Sequence, residues 1–484
     1  MNYLDLTIKE IHEAIVSGKV TPEELVKESL ARAKANKNNA FEYICEKEAL
    51  EALKGLSNKD KNSPLFGVPV VIKDNFATKD IPTTASSNIL NGYVPIFSSE
   101  VVSRLEKAGA IVIGKTALDE LAMGGSGTTG HLGVSTNPWN TDHQIGGSSC
   151  GSAISACAGI VPLAIGSDTG DSVRKPASHG GLVGLKPTWG RISRFGLFPF
   201  AVSMDHVGYF TRSVFDSALT LNILAGHDDK DVTSSYEKVD NYIEHINDDI
   251  KGKKIAVIKG IVDSISNKTI MEQFNKSVED LRKKGAIVDY VDIDEDLLLA
   301  IYPTYIIISC AEATSNNANL DGIKFGNRQP GDTYEDVIMN TRTKGFSELI
   351  KRRFIIGSYS LLRDNREDLF TRAQKCRRLI VDAVNKVFEK YDAIYAPASP
   401  STAPLLKGGN GDKLSEEYLI ADNWMAIGNF GGFPSITLPI GFENGLPFGA
   451  NLTSKPFSES TLFNIANKIE ESTGYKNLLV KEGK

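Results

Sequence analysis

Apolar and polar positions alternate along the chain in blocks that read as helices and strands in turn. Thr7-Ile8-Lys9-Glu10 has the form of a capping box, and Thr21-Pro22-Glu23-Glu24 repeats it with proline at the first helical position. The pattern therefore predicts two N-terminal helices. The run GVPVVIKDN (67–75) predicts a strand, SSEVVSRLEKAG a helix and AIVIGKT a second strand. That order places the chain in the α/β class. SCGSAISACAG (149–159) carries mostly small side chains, as a helix packed tightly against other backbone would, and VPLAIGS (161–167) follows as a strand.

Farther on, KIAVIKG (254–260), a helix to Lys284 and AIVDYVDI form a βαβ-like unit. From about 297 to 391 the pattern is helical and more charged. YDAIYAPASPSTAP reads as a strand running into a proline-rich loop, and PSITLPIGFENGLPFGANL as a hairpin turning at Asn444-Gly445. A last helix spans about 459–471. No repeat, linker or composition break divides the chain. The expected organisation is one domain over 1–484, with a helical insertion at about 297–391.

Composition narrows the function classes. The 484 residues are 41% apolar and 24% charged, as in an ordinary globular protein. Net charge is −6 and no run of five like charges occurs, which argues against a broad nucleic-acid face on this chain. Five cysteines without a CxxC fit a reducing cytosol. The first residues interleave charges with apolar positions, unlike a secretory signal. The most apolar helical stretch, near 152–165, has too few large side chains to span a bilayer, so no membrane partner is expected. The seven histidines make no metal-binding spacing, so no metal is expected.

Three motifs match familiar sites, and local context argues against each. GAIVIGKT (109–116) fits the phosphate-loop pattern, but its middle is an apolar strand where a curled loop is needed. GSGTTG (125–130) fits a dinucleotide fingerprint, but a helical pattern precedes it where a strand should be. GSSCG (147–151) fits a nucleophile elbow around Ser149, but it follows a loop.

Two serine-rich loops remain, IGGSSCGS (145–152) and GSDTGDSVR (166–174), each opening onto a helix start. Free N–H groups at a helix N-terminus suit a tetrahedral oxyanion. A serine nucleophile also needs a base. His143 and His179 are nearest in sequence, and neither is forced into that role. Lys73, at the end of the apolar strand GVPVVIK, is the other candidate. Most such lysines reach back to solvent; one kept dry loses its proton readily and becomes a base.

GVPVVIKDN, GGSSCGSA and GSDTGDSVRKPAS…GLVGLKPT, in that order, resemble the amidase signature family of serine amidohydrolases over nearly the whole chain. The resemblance implies a mixed central β-sheet covered by helices on both faces. It also implies a Ser-(cis-Ser)-Lys triad: Ser172 as nucleophile, Ser148 as relay and Lys73 as base. The oxyanion hole would be the backbone N–H groups of Thr169, Gly170 and Asp171. ALDELAMGGSG, SCAEATSNNANLDGIKFG and KRRFIIGSYSL resemble in particular the A-subunit branch of the glutamyl-tRNA(Gln) amidotransferases. That branch implies a glutamine site at Tyr305, Arg353 and Asp422, with Arg353 on the α-carboxylate and Asp422 on the α-ammonium. It further implies a cytoplasmic complex with amidotransferase subunits B and C. Ammonia would pass to Glu-tRNA(Gln) on the B subunit, where ATP and Mg2+ are used, and this chain would carry no cofactor.

The alternatives are a stand-alone amidase for another amide and an inactive scaffold. The second is raised by Asp171, which stands where the family pattern has glycine. A carboxylate facing the oxyanion would oppose catalysis. The expectation is that it points instead towards Arg174 or Lys175.

Overall fold

In the computed structural model, which describes residues 2–407 and 413–480, the apolar runs become strands of one large sheet. In chain order the strands are β1 (Phe41–Ile44), β2 (Pro69–Lys73), β3 (Ile111–Thr116), β4 (Thr136–Asn137), β5 (Asn140–Gln144), β6 (Leu163–Asp168) and β7 (Val183–Lys186). They continue with β8 (His206–Thr211), β9 (Lys254–Ile258), β10 (Ile287–Val291), β11 (Ala393–Pro397), β12 (Ser435–Glu443) and β13 (Leu446–Ser454). Eleven form the main sheet, in the order β1-β3-β2-β6-β8-β7-β12-β13-β11-β9-β10, while β4 and β5 pair separately. The pairs β2–β3, β2–β6, β9–β10 and β9–β11 are parallel and the other main-sheet pairs antiparallel, so the sheet is mixed.

Strands β2 and β6 are buried along their whole length. Both faces of the sheet are covered, which is why these strands read as unbroken apolar runs. Val70 and Ile72 point into one core cluster, with Leu163 and Ile165, and Val71 points into another. That second cluster contains Cys150, Ala153 and Ile154 of the helix Cys150–Cys157. The small side chains of this helix allow the close approach anticipated for it. A Cβ on Gly151 would stand 2.2 Å from the Ala40 carbonyl oxygen and 2.7 Å from the Ala117 nitrogen. By the two-residue period of a strand, Lys73 leaves β2 on the same side as Val71, facing that helix.

Several expectations are met in detail. Thr7 and Thr21 each cap their helices, Ile8–Val16 and Pro22–Ala35, in full capping boxes. β9, the helix Lys268–Lys283 and β10 form the parallel βαβ unit. β12 and β13 form the hairpin, with Asn444 and Gly445 both at positive φ (52° and 79°), as a type I′ turn requires.

Other elements were not anticipated. β1 is half-buried, and β7, β8 and the helix Val214–Leu224 lie in stretches that carried no clear period. The most membrane-like segment is also not the one near 152–165. It is Glu295–Asn316, which is apolar and long enough to cross a bilayer by length and composition alone. In this fold its Ile301 and Ile308 share a cluster with Phe354 and Ile380 of neighbouring helices and with Ile258 and Ile394 of the sheet. The helices Ile301–Asn316, Glu348–Leu361 and Arg372–Phe388 thus share one core cluster with β9 and β11, while Tyr334–Gly345 packs against the Asn88–Leu90 turn.

Candidate active site

Lys73 ends β2 with no exposed surface, and its Nζ is ringed by oxygen atoms of uncharged groups. It lies 2.7 Å from Ser148 Oγ, 2.9 Å from Ser149 Oγ, 2.9 Å from Ser167 Oγ and 3.3 Å from the Ser167 carbonyl oxygen. Burial lowers its pKa to about 7. The other two lysines with no exposed surface meet different partners. Lys115 pairs with Asp74 at 2.9 Å, and Lys186 donates to the carbonyl oxygens of Pro187 and Phe433. Among the described residues no carboxylate pairs with Lys73.

Hydrogen bookkeeping around Lys73 assigns directions. Ser149 Oγ donates to the Ser167 carbonyl oxygen at 3.0 Å, so it accepts from Lys73. Asn75 Nδ2 donates to Ser167 Oγ at 2.9 Å. Among the described residues the Ser148 hydroxyl has no competing acceptor or other donor, whereas Ser167 Oγ also receives Asn75, and the Ser148 contact with Lys73 is the shortest of the four. It is therefore the group positioned to give a proton to a neutral amine. The Gly147–Ser148 peptide bond is cis.

Ser172 lies on the turn between β6 and the helix Arg174–Gly180 and is 4% exposed. Its carbonyl oxygen accepts from the Ser149 N–H at 3.2 Å, which fastens the two serine loops together. Among the described residues its hydroxyl has no hydrogen-bond partner, so Lys73 and Ser148 touch while the Ser148–Ser172 contact is not made in this structure. The turn is held from below by Asp168, which accepts from the Val173 N–H at 2.9 Å and from Arg174 at 2.9 and 3.1 Å. Burial works against the Asp168 charge, but the Arg174 guanidinium outweighs it and keeps the carboxyl well below the usual range.

No protein acceptor among the described residues takes the N–H groups of Thr169, Gly170 or Asp171. Asp171 lies outside the left-handed region, so aspartate costs no backbone strain there. Its carboxylate pairs with Lys175 at 2.8 Å. Arg174, the other expected partner, is spent on Asp168, Gly170, Met425 and Asn429.

The three residues expected on the substrate side converge on this turn from remote segments. The Tyr305 ring packs on Gly170, where an added Cβ would meet ring atoms at 2.9 Å. Burial raises the Tyr305 hydroxyl pKa, against the opposing field of Arg353. The Arg353 guanidinium sits 5.7 Å from the Phe200 ring centroid, and its Nη1 is buried without a partner among the described residues. Its neighbour Arg352 is exposed, which is the solvated helix face that a basic triplet leads one to expect. The Phe200 N–H donates to Asp205 at 2.9 Å, and Asp205 accepts from the Thr169 hydroxyl at 2.7 Å. One carboxylate thus ties the turn that carries Ser172 to the aromatic shelf under Arg353. Asp422 Oδ1 stands 3.2 Å from Lys175 Nζ, and burial raises the Asp422 carboxyl pKa while Lys175 opposes the rise.

The amidase family model matches residues 24–463. The chain belongs to the amidase family. It is 38% identical to the A subunit of the glutamyl-tRNA(Gln) amidotransferase of Pediococcus pentosaceus, with 98% of each chain covered. It is 39% identical to the protein of the same name from Streptococcus mutans, again with 98% of each covered. The crystal structure of the corresponding protein from Thermotoga maritima superimposes with a TM-score of 0.80 at 33% identity, covering 99% of this chain and 97% of the other.

This amidase also uses residues that were not picked out from its sequence. Asp119 is buried at the centre of GSGTTG and accepts from the N–H groups of Ser126, Gly127, Thr128 and Thr129 at 3.0–3.2 Å. A Cβ on Gly147 would stand 2.0 Å from Asp119 Oδ2, and the Asp119 N–H donates to the Ser148 carbonyl oxygen at 3.2 Å. The glycine-rich loop is therefore an anion cradle filled by the protein's own carboxylate, and it buttresses the Gly147-Ser148 segment. The signal for it was present, since a run of small residues able to converge their N–H groups needs an anion. GAIVIGKT is the buried strand β3. Ser149 of GSSCG is a neighbour of Lys73.

Proposed function

We propose that this amidase is the glutaminase subunit of a tRNA-dependent amidotransferase, with Ser172 as nucleophile. The observation that carries the reading is Lys73: a buried amine among serine hydroxyls, its pKa lowered by burial to about 7, with no carboxylate among the described residues to hold its proton. Neutral Lys73 takes the Ser148 proton as Ser148 takes that of Ser172, whose hydroxyl turns towards it by rotation about its Cα–Cβ bond. Catalytic hydrogen bonds commonly tighten in this way only when substrate binds. Ser172 Oγ attacks the side-chain amide carbon of glutamine. The N–H groups of Thr169, Gly170 and Asp171 receive the oxyanion. The proton returns to the departing nitrogen, ammonia leaves, and water hydrolyses the γ-glutamyl ester.

Glutamine is favoured over a neutral amide because Arg353 offers a buried nitrogen with no partner among the described residues and Asp422 brings a carboxylate to Lys175, beside the Ser172 turn. Arg353 would take the α-carboxylate and Asp422 the α-ammonium. The relatives are named as A subunits of a glutamyl-tRNA(Gln) amidotransferase, which supports a complex with further subunits. In this reading ammonia would pass to Glu-tRNA(Gln) on a B subunit, where ATP and Mg2+ would act, a C subunit would complete a cytoplasmic complex, and this chain would need no cofactor of its own. The pairing of Asp171 with Lys175 supports an active site over an inactive scaffold.

Arg353→Met is expected to raise KM for glutamine by about 10- to 100-fold, the loss of one charged hydrogen-bonded contact, with a smaller change in kcat. Steady-state glutaminase assays on the purified complex check this, and an unchanged KM would remove Arg353 from the site. The Lys73 base predicts a pH profile. Below about 7 the amine is protonated and cannot accept a proton, so kcat/KM should fall as pH drops through about 7 and level off above it. A profile flat from about pH 6 to 9 would exclude Lys73 as the titrating base.

A further inference from the structure

Lys175 is nearly buried, and each hydrogen of its ammonium has an acceptor. Its Nζ lies 2.8 Å from Asp171 Oδ2, 2.8 Å from the Asp422 carbonyl oxygen and 3.2 Å from Asp422 Oδ1. Its own N–H donates to the Asp171 carbonyl oxygen at 2.9 Å. Burial works against the ammonium, but Asp171 and Asp422 outweigh it and push its pKa up, so the group stays charged. Asp171 supplies one of the free N–H groups, and Asp422 arrives from a turn 247 residues beyond Lys175. One side chain therefore grips both the nucleophile turn and the carboxylate on the substrate side.

We infer that Lys175 is a positioning residue with two jobs: it draws the Asp171 carboxylate away from the oxyanion site, and it anchors Asp422 for the substrate ammonium. This rests on the glutaminase reading above. The two jobs separate by mutation. Without Lys175, Asp171 is an unpaired carboxylate next to the N–H groups that must meet a developing negative charge. Without both Lys175 and Asp171, that repulsion is gone while Asp422 remains untethered. Asp171 and Lys175 are thus a matched pair in which the lysine makes the aspartate tolerable.

The test is a double-mutant cycle in the assembled complex, with kcat and KM for glutamine and a thermal melt for each variant. Lys175→Met is expected to lower kcat by about 100-fold, on the scale of a lost oxyanion donor, and Asp171→Gly to lower it less. Asp171→Gly with Lys175→Met should recover at least about 10-fold in kcat over Lys175→Met alone, while KM stays raised by about 10-fold because Asp422 has lost its anchor. A purely structural role predicts additive losses in kcat, and a double variant no faster than Lys175→Met overturns the inference. If Lys175→Met does not fold, the same comparison is made between Lys175→Gln and the Asp171→Asn, Lys175→Gln pair. Dependence of the wild-type activity on Ser172 is measured alongside. Its absence would sink the glutaminase reading, whereas its presence with a slow double variant would sink only the role of Lys175.

Discussion

In the assembled amidotransferase, Ser172→Ala is expected to cut glutamine-dependent amidation by about 10^4-fold or more and to leave amidation from free ammonia intact. The contrast follows from the division of labour. In the proposed mechanism Ser172 breaks the carbon–nitrogen bond of glutamine, and ammonia added to solution bypasses that step. The substitution is also mild for the fold. The Ser172 hydroxyl has no protein partner among the described residues, and the bond that fastens the serine loops uses its carbonyl oxygen, which alanine keeps. Asp168 still holds the turn through the Val173 N–H and Arg174. A γ-glutamyl hydroxamate trap should likewise fall silent, since no acyl-enzyme forms. Persistent glutamine-dependent activity in the variant would show that the nucleophile is elsewhere.

The second large effect is at Lys73. Lys73→Met should lower glutaminase turnover by about 10^4-fold, because no other amine or imidazole among the described residues touches Ser148 to replace it. The same change should not weaken the fold. A dry lysine without a counter-ion is costly to bury, and methionine fills a similar shape without charge. The Ser149–Ser167 and Asn75–Ser167 hydrogen bonds remain after the change. Thermal unfolding at or above the wild-type temperature, together with lost turnover, is the expected pair of results. Lys73→Arg should be equally inactive, since guanidinium does not give up its proton. A clear drop in melting temperature with retained activity would make Lys73 a structural lysine.

The paired Asp171 changes how the family departure is read. A carboxylate one residue before a nucleophile looked hostile to an oxyanion. Four residues on stands Lys175, which already answers it. The local sequence DSVRK holds both charges, yet nothing in it chooses between Arg174 and Lys175 as the partner. Arg174 is taken by Asp168 and by two residues from much later in the chain, Met425 and Asn429. Only the packing of that distant segment leaves Lys175 as the partner.

Much of this protein was fixed by local chemistry. The capping boxes at Thr7 and Thr21 satisfy N–H groups within three residues, so their helices begin where the letters say. Asn444-Gly445 tolerates the two positive φ values of its turn, so the hairpin is local too. β2 and β6 read as strands because both faces are buried. The strands β7 (VGLK) and β8 (HVGYFT) are less legible because glycine and polar residues interrupt their apolar runs, and the helix Val214–Leu224 because Asp216, Ser217 and Thr220 are buried beside its apolar residues and blur its period. The motifs around Lys73, Ser148 and Ser172 were visible as letters, and the family resemblance ordered them. The tertiary structure decided what lies between them: a lysine dried by four oxygen contacts, a relay loop propped on Asp119, and a charge pair that links position 175 to position 422. Those are contacts between segments tens to hundreds of residues apart. Their chemistry depends on burial and on distances of a few ångströms, and neither is written in the order of residues along a chain.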